Sequence, residues 1–278
     1  MSRARRFRFG LSTLLGRPRG FFIPYRYAAS VRPAPYPALE PLFRAAEPFF
    51  RDLVSSLDAY AEEFGRILAG EGPARFDQDW FPRLDAAIAY ALVRRERPAR
   101  IVEIGSGHST RFLARAVQDG GLPTRVTAID PAPRACLAGL GVEHLRVLLS
   151  DAGPDLFGAL RPGDMLFVDS SHIAMPGTDV DRLVGDLLPR LAPGMLLHLH
   201  DILLPDAYPA EWAWRGYNEA TAVAALLSGG GWEIGFSSHW VASRHPDWLA
   251  AGIASRLPLV AGARETSLWL RKRGLVPA

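Results

Sequence analysis

The sequence has almost no cysteine and lacks the long apolar runs that cross membranes. Cys136 is the single cysteine among 278 residues, so no intrachain disulfide and no cysteine-built zinc site can form. This fits a reducing compartment, and we expect a cytoplasmic protein. No apolar run reaches the roughly 18 residues of a membrane helix, so no membrane span is expected. A composition of 49% apolar and 22% charged residues excludes disordered and fibrous proteins.

Acidic residues are missing from the first 32 positions. That segment carries eight arginines, whereas the remaining 24 basic and 29 acidic residues give the rest of the chain a net charge of −5. Such an arm suits nucleic acid, anionic lipid or an acidic face of another subunit. We expect it to be solvated or to dock on a subunit, which predicts a homo-oligomer formed through the arm. The apolar stretch 9–15 is short and interrupted, so a signal peptide is not expected.

The apolar pattern divides the chain into three regions. Residues 1–37 read as a basic, proline- and aromatic-rich extended arm, and 38–75 as a helical extension with helical spacing over 41–69. In residues 76–278, short apolar runs alternate with helices. Runs that are apolar on both faces are typical of a parallel sheet covered by helices. The sequence therefore predicts an α/β fold with a Rossmann-like, doubly wound, mostly parallel sheet.

The same pattern predicts the individual elements of the third region. Strands are expected at 100–104, 125–130, 144–149, 164–169, 194–201, 232–240 and 266–271. Helices are expected at 78–96, 108–118, 132–139, 155–160, 178–191 and 218–228.

A buried strand, a tight glycine turn and a helix start follow one another over residues 101–110. Gly105 and Gly107 let the backbone approach a ligand, and the helix start presents free N–H groups. Asp130 ends the next strand, where an acid can bind the two ribose hydroxyls of an adenosine ligand. Glu103 in the first strand and the missing third glycine argue against a nicotinamide-dependent oxidoreductase, which stays as an alternative.

Several successive motifs resemble the class I S-adenosylmethionine-dependent methyltransferases. They are Glu103-x-Gly105-x-Gly107, Asp130, Ser150-Asp151-Ala152 and Leu166-Phe167-Val168-Asp169. Four segments resemble the small-molecule branch labelled methyltransferase family 24. They are the segment around Gly105, Val168-Asp169-Ser170-Ser171-His172, His200-Asp201-Ile202 and Tyr217-Asn218-Glu219. The resemblance covers about residues 76–271. It implies a seven-stranded sheet with an antiparallel C-terminal edge, and methyl transfer to a small molecule at oxygen.

The resemblance also implies roles for individual residues toward the cofactor S-adenosylmethionine. Glu103 and the turn Gly105-Ser106-Gly107 would hold its amino-acid end, and Asp130 its ribose. Asp151 and Ala152 would meet the adenine, and Asp169 would face the methyl donor and the substrate. These positions follow the carboxyl ends of strands, where open α/β sheets bind ligands.

Methyl transfer also needs alignment of the acceptor and removal of its proton. His172, in the loop after the fourth strand, and His200 with Asp201, at the tip of the fifth, are candidates for this step. His198, in mid-strand, is expected in the core. Some relatives in the wider fold hold a divalent ion at positions like those of Asp169, His200 and Asp201. Oxygen ligands suit Mg²⁺ and histidine is less typical of it, so a magnesium site and an imidazole base both stay open.

The loop 203–217 after the fifth strand is rich in aromatic residues. We predict contacts with a flat or sugar-like acceptor from Trp212, Trp214, Tyr217 and Glu219. Packing of the aromatic residues against the rest of the domain is an equal alternative. A nucleic-acid substrate is not expected, because no Asn-Pro-Pro-Tyr-type motif and no basic run lies inside the domain. A ligand-binding relative without catalysis is the remaining alternative.

Overall fold

The computed structural model describes residues 3–21 and 23–274 of the chain. Its sheet has seven strands: β1 (Arg100–Ile104), β2 (Arg125–Ile129), β3 (Glu143–Leu145), β4 (Met165–Val168), β5 (Leu196–Leu199), β6 (Trp232–Ser237) and β7 (Leu268–Lys272). The α-helices are α1 (Arg3–Leu14), α2 (Glu40–Ser56), α3 (Ala61–Leu68), α4 (Arg83–Glu96), α5 (His108–Asp119), α6 (Pro154–Gly158), α7 (Asp179–Arg182), α8 (Leu188–Arg190), α9 (Glu219–Ser228) and α10 (Ser238–Arg244). A π-helical turn, Leu183–Leu187, joins α7 to α8. Short 3₁₀ helices lie at Ala28–Ser30, Pro37–Leu39, Leu57–Tyr60, Leu149–Asp151, Ala210–Trp212, Pro246–Leu249 and Ala254–Arg256.

The strand order is β3-β2-β1-β4-β5-β7-β6, and β1 to β5 are parallel. Strand β7 runs antiparallel between β5 and β6. The predicted doubly wound fold with an antiparallel edge is therefore confirmed. Strands β4 and β5 are buried along their whole length, because helices cover both faces of the sheet. The carboxyl ends of β1, β2, β4 and β5 consequently meet at one edge, where residues far apart in sequence come together.

Two predicted elements are wrong. Residues 132–139 form a loop instead of a helix, in a segment that begins with Pro131 and Pro133 and ends at Gly139, which has a positive φ. The predicted strand 232–240 stops at Ser237. There the Ser237 hydroxyl accepts a hydrogen bond from the backbone N–H of Trp240 and starts helix α10.

The N-terminal extension shares one hydrophobic core with the sheet domain. Phe43 stacks on Trp240 with ring centroids 5.3 Å apart, and Phe50 meets Phe236 at the same distance. Helix α2 therefore packs on the antiparallel edge of the sheet. This edge lies away from the turn at Gly105, so the extension supports the sheet behind the candidate site.

The arm is helical where an extended chain was expected. Residues Arg3–Leu14 contain no proline and form α1, whereas the chain is irregular from Arg17 onward, where prolines recur. Phe22, within the aromatic-rich arm, lies outside the described residues. None of the helices in the described ranges combines the length and apolarity that crossing a bilayer requires.

Candidate active site

A cavity of about 650 Å³ lies at the carboxyl ends of β1, β2 and β4. The turn Gly105–Gly107 forms part of its wall, together with Asp130 and Asp169. Gly105 has φ of +85°, and a Cβ added to it would lie 1.9 Å from the backbone oxygen of Asp169. Only glycine fits here, because the turn after β1 passes directly against the end of β4. The predicted glycine turn thus shapes the cavity by close backbone packing.

Asp130 occupies the position that the sequence predicts for ribose binding. Its carboxylate accepts hydrogen bonds from the Ser106 hydroxyl and the Ala132 backbone N–H, both at 2.8 Å. These donors fix the carboxylate in the cavity wall, beside the end of β2. Ser106 and Asp130, predicted separately for the cofactor, therefore belong to one hydrogen-bonded unit.

Glu103 lies behind this wall. It is fully buried and accepts hydrogen bonds of 2.6 Å from the hydroxyls of Ser109 and Thr110. Burial raises the pKa of its carboxyl to about 8, despite these hydrogen bonds, and the charges of Asp169 and Asp130 add to the rise. Glu103 thus ties β1 to the start of α5 and is not among the cavity-lining side chains, which differs from the direct cofactor contact implied by the resemblance.

The two residues predicted to contact adenine, Asp151 and Ala152, do not line the cavity, whereas their neighbours do. Leu149 and Ser150 line the cavity, whereas Asp151 is exposed and Ala152 is buried outside the lining. Asp151 ends a 3₁₀ turn that follows the short strand β3, and its side chain faces solvent.

Trp80, Phe81 and Arg134 line the cavity but were missed in the sequence. The Arg134 guanidinium lies 4.4 Å from the centre of the Trp80 ring. The Gln78 side-chain oxygen accepts hydrogen bonds of 2.8 Å from the N–H groups of Trp80 and Phe81 and holds this segment. These residues were read as part of a helix, although Pro82 marks the true helix start at Arg83.

Two histidines and two aspartates meet beside the cavity. Oδ1 of Asp169 lies 3.3 Å from Nε2 of His172 and 3.6 Å from Nδ1 of His200. Asp201 lies 3.6 Å from His172 and 3.8 Å from His200. Both imidazoles are buried, and Asp169 is the member of this cluster that lines the cavity, with 28% of its side chain exposed. The tertiary structure therefore brings the three predicted catalytic residues, His172, His200 and Asp201, into one cluster with Asp169.

A further carboxylate stands behind each imidazole. Nδ1 of His172 lies 2.9 Å from Oε2 of Glu219, and Nε2 of His200 lies 3.4 Å from Oδ2 of Asp85. Asp85, on α4, is fully buried and was missed because a lone acid early in a helix carries no functional signal. Each imidazole thus lies among three acids, with Asp169 and Asp201 shared between the two.

These acids control the protonation of both histidines. Burial lowers the pKa of His172, but its hydrogen bonds with Asp169 and Glu219 outweigh burial and raise the pKa to about 10. The pKa of His200 is likewise raised against burial, chiefly by the charge of Asp169. Burial raises the pKa of Asp169, but the two imidazoles outweigh it and hold that pKa well below its ordinary value. The surrounding acids therefore favour the imidazolium form of both histidines.

Backbone strain marks the same cluster. His172 has φ of 60° and Asp201 has φ of 53°, a region that non-glycine residues seldom adopt. The His172 backbone oxygen accepts hydrogen bonds from the N–H groups of Asn218 and Glu219. The surrounding structure thus holds the strained loop after β4 against the start of α9.

Arg215 organises the aromatic loop after β5. Its guanidinium lies 4.0 Å from the Trp212 ring centre and 5.3 Å from that of Tyr217. Its Nη1 also lies 3.3 Å from Oδ2 of Asp201. Tyr217 packs on His172, with ring centroids 4.5 Å apart, while Trp214 is 42% exposed. The predicted acceptor residues therefore form a cap over the histidine cluster, joined by an arginine that the sequence analysis missed.

The predicted magnesium site stays a prediction. Asp169, His200 and Asp201 do lie together, but within residues 3–21 and 23–274 no group of three or more histidine, cysteine or acidic side chains is arranged to hold a metal ion. The carboxylate oxygens instead face two imidazoles and the Arg215 guanidinium. Since this donor set does not fit an oxygen-ligated magnesium ion, no step is assigned to a metal.

His198 lies in the core, as expected of a mid-strand histidine. It stacks on Phe167 at 3.6 Å, and its Nε2 lies 2.8 Å from the Ser267 hydroxyl oxygen. Burial and the neighbouring charge of His200 lower its pKa well below the ordinary value, so it is neutral.

The fold and the cavity at the carboxyl ends of its strands, with Asp130 in the wall, are typical of α/β proteins that bind a ligand at this edge. Comparison with known families narrows this class of protein. Residues 102–202 match the Methyltransf_24 family, described as a methyltransferase domain. This match covers somewhat more than a third of the chain and spans every predicted cofactor residue. The segment is therefore similar to a methyltransferase domain, and the predicted class of S-adenosylmethionine-dependent methyltransferase is confirmed. A search of curated proteins found no match.

Several solved structures are similar to the chain at low identity. The SAH-bound methyltransferase PaMTH1 of Podospora anserina is 14% identical over 92% of this chain and 100% of its own, with a TM-score of 0.44. The branched-chain polyamine synthase of Thermus thermophilus is 19% identical over 77% and 64%, with a TM-score of 0.44. An O-methyltransferase of Bacillus cereus in complex with SAH is 16% identical over 78% and 91%, with a TM-score of 0.42. Similarities of this size concern the fold alone and transfer no substrate or residue role.

Proposed function

We propose that the protein transfers a methyl group from S-adenosylmethionine to a hydroxyl oxygen of a small molecule. The observation that carries the proposal is one cavity that joins the Gly105–Gly107 turn and Asp130 to Asp169, the outermost member of the histidine cluster. Cofactor and acceptor would thus meet at the side chain that is best placed to handle a proton.

The residues around the cavity fit a nucleoside cofactor. Asp130 offers a carboxylate to two hydroxyls. Within the described part of the chain, the Ser170 hydroxyl and Nδ1 of His108 are buried without a hydrogen-bond partner, and both residues line the cavity. Buried polar atoms of this kind are usually satisfied by a ligand or water. Trp80 with Arg134 supplies a flat surface at the same cavity. The bound cofactor would supply a sulfonium as methyl donor, and the chain has to position the acceptor and take its proton.

The proposed base is the Asp169–His172 pair, with His200 and Asp201 supporting the same carboxylate. Asp169 reaches the cavity, whereas His172 lies behind it with Glu219 on its far nitrogen. An imidazole with a pKa of about 10 cannot accept a proton at neutral pH. Positive charge brought into the cavity beside Asp169 lowers that pKa, because it competes for the carboxylate. His172 would then become a base in the loaded protein.

The acceptor is proposed to enter beneath the cap formed by Trp212, Trp214 and Tyr217. Oε1 of Glu219 and the Tyr208 hydroxyl are buried there, and in the described ranges neither has a hydrogen-bond partner. Hydroxyl groups of a small acceptor suit these atoms. A small-molecule acceptor, a cytoplasmic location and an oligomer remain predictions at this point.

Binding of SAH to full-length protein tests the cofactor assignment by calorimetry. Asp130→Asn is expected to weaken SAH binding on the order of tenfold or more, because the ribose hydroxyls lose a charged acceptor. Asp151→Asn is the matched control and should bind SAH as the wild type does, since this aspartate faces solvent. Equal affinity of both variants with the wild type would refute the assignment. A mass-shift screen of hydroxylated and amine compounds tests the acceptor, and methylation of amines alone would refute the oxygen target.

A further inference from the structure

Helix α1 carries an apolar face that is open to solvent. Phe7, Leu11 and Leu14 follow the i, i+4, i+7 spacing of a single helix face. Their side chains are 73%, 46% and 70% exposed. Three large apolar residues in one exposed row are unusual for a water-facing helix, so this face suits an apolar surface.

Positive charge surrounds the apolar face. Arg6 and Arg8 lie about 100° to either side of Phe7 on the helical wheel. On the opposite side, the guanidinium groups of Arg5 and Arg19 lie 5.3 and 5.7 Å from the Phe9 ring centre. Residues 1–32 contain eight arginines and no acid, so the arm has no negatively charged side chain of its own.

A second group of exposed apolar residues follows the helix. Phe21, Ile23, Tyr25 and Tyr27 are each between 58% and 62% exposed. Gly16, with φ of +80°, turns the chain between the helix and this segment. The arm therefore presents apolar side chains, two of them tyrosines, among arginines over some 25 residues.

We propose that residues 3–21 and 23–31 bind the surface of an anionic lipid bilayer. Such a surface takes up the apolar face at its acyl boundary, attracts the arginines through its headgroups and accommodates interfacial tyrosine. The enzyme would then work beside a membrane without crossing it.

A second copy of the chain fits the arm less well. The body has an apolar groove of about 420 Å³ that includes Leu42 and Phe49. Arg95, Arg271 and Arg273 line it against two acids, Glu96 and Glu233. The groove therefore carries a net positive charge, which repels an arm with eight arginines. An anionic bilayer attracts the arginines along the whole arm.

Vesicle sedimentation of the full-length protein tests the proposal. We expect the protein to sediment with vesicles of phosphatidylcholine and phosphatidylglycerol mixed about two to one, to stay in solution with phosphatidylcholine alone, and to bind less as salt rises. Combined Phe7→Ser, Leu11→Ser and Leu14→Ser substitutions should lower the partition coefficient at least about tenfold. Arg6→Gln with Arg8→Gln should lower it on the order of tenfold.

Matched controls separate the arm from surface changes in general. Leu68→Ser with Leu259→Ser removes apolar residues exposed to 40% and 42% on the body, and Arg51→Gln with Arg256→Gln removes two exposed body charges. Both should leave vesicle binding unchanged, and all variants should keep the wild-type affinity for SAH. The proposal is overturned if the wild type does not sediment with anionic vesicles at low salt. It is likewise overturned if the triple serine variant sediments with them as well as the wild type does. It is also overturned if light scattering shows that the arm joins two copies and no vesicle binding occurs.

Discussion

Nδ1 of His172 lies 2.9 Å from Oε2 of Glu219, although the two residues are 47 positions apart. Glu219→Gln keeps the size of the side chain and removes its charge. We expect the pKa of His172 to fall from about 10 and the unfolding free energy at neutral pH to drop by about 2 kcal/mol, because a buried imidazolium loses a partner. Denaturant unfolding of both proteins measures this difference.

The pH dependence of that difference has a definite sign. The folded-state pKa of His172 is raised from 6.5 to about 10, so its stabilising effect is complete below the unfolded value and is lost as pH rises through about 10. The gap between wild type and Glu219→Gln should shrink over that range. Glu211→Gln removes an exposed acid in the loop after β5, serves as control and should show no gap. A gap that does not change with pH would contradict the charge-based explanation.

Gly105→Ala tests the packing of the glycine turn against β4. The added Cβ would lie 1.9 Å from the Asp169 backbone oxygen, at a positive φ that alanine rarely adopts. We expect a loss of about 3 kcal/mol in unfolding free energy and a loss of SAH binding. Gly185→Ala is the control, since its Cβ would meet nothing within 4 Å. If Gly105→Ala keeps the stability and the SAH affinity of the wild type, the turn can shift to accommodate a Cβ and the close packing against β4 is not required.

Glu103→Gln tests the buried carboxyl beneath the cavity. The folded-state pKa of Glu103 is raised to about 8, so its stability contribution is greatest below the unfolded pKa of 4.5 and is lost as pH rises toward 8. The wild type should therefore lose stability relative to Glu103→Gln across this range, since the glutamine cannot ionise. Urea unfolding at several pH values measures the slope, and parallel curves for the two proteins would exclude a raised pKa.

Arg215→Ala tests the cap. Loss of the guanidinium removes the contacts with Trp212 and Asp201, which should raise the acceptor KM on the order of tenfold because the cap is no longer held in place. SAH affinity should stay unchanged, since Arg215 is not part of the cavity wall. Arg264→Ala breaks the exposed ion pair with Glu211 in the same region and should change neither quantity. A fall in SAH affinity with an unchanged acceptor KM would assign Arg215 to the cofactor instead.

Local pattern determined a large part of the fold. Strands such as β1 were predictable because buried parallel strands are continuously apolar, and the Gly105 turn because only glycine allows the backbone to pass so closely. The loop at residues 132–139 was not predictable, because the composition of this segment favours a helix. Its prolines and its glycine nevertheless produce a loop. The end of β6 at Ser237 was not predictable either. A single hydrogen bond from the Trp240 N–H to the Ser237 hydroxyl starts a helix there, where the pattern predicts that the strand continues.

By itself, the sequence determined the methyltransferase class and most of the candidate residues, because the cofactor motifs follow one another at strand ends. The tertiary structure decided where each residue lies and which groups it contacts. It placed Glu103 behind the cavity and Asp151 in solvent, and it brought Asp85 and Glu219 against the two histidines. Such contacts join residues as far as 115 positions apart, and their pKa shifts depend on burial and distance. Those quantities exist only once the sheet has gathered its strand ends at one edge.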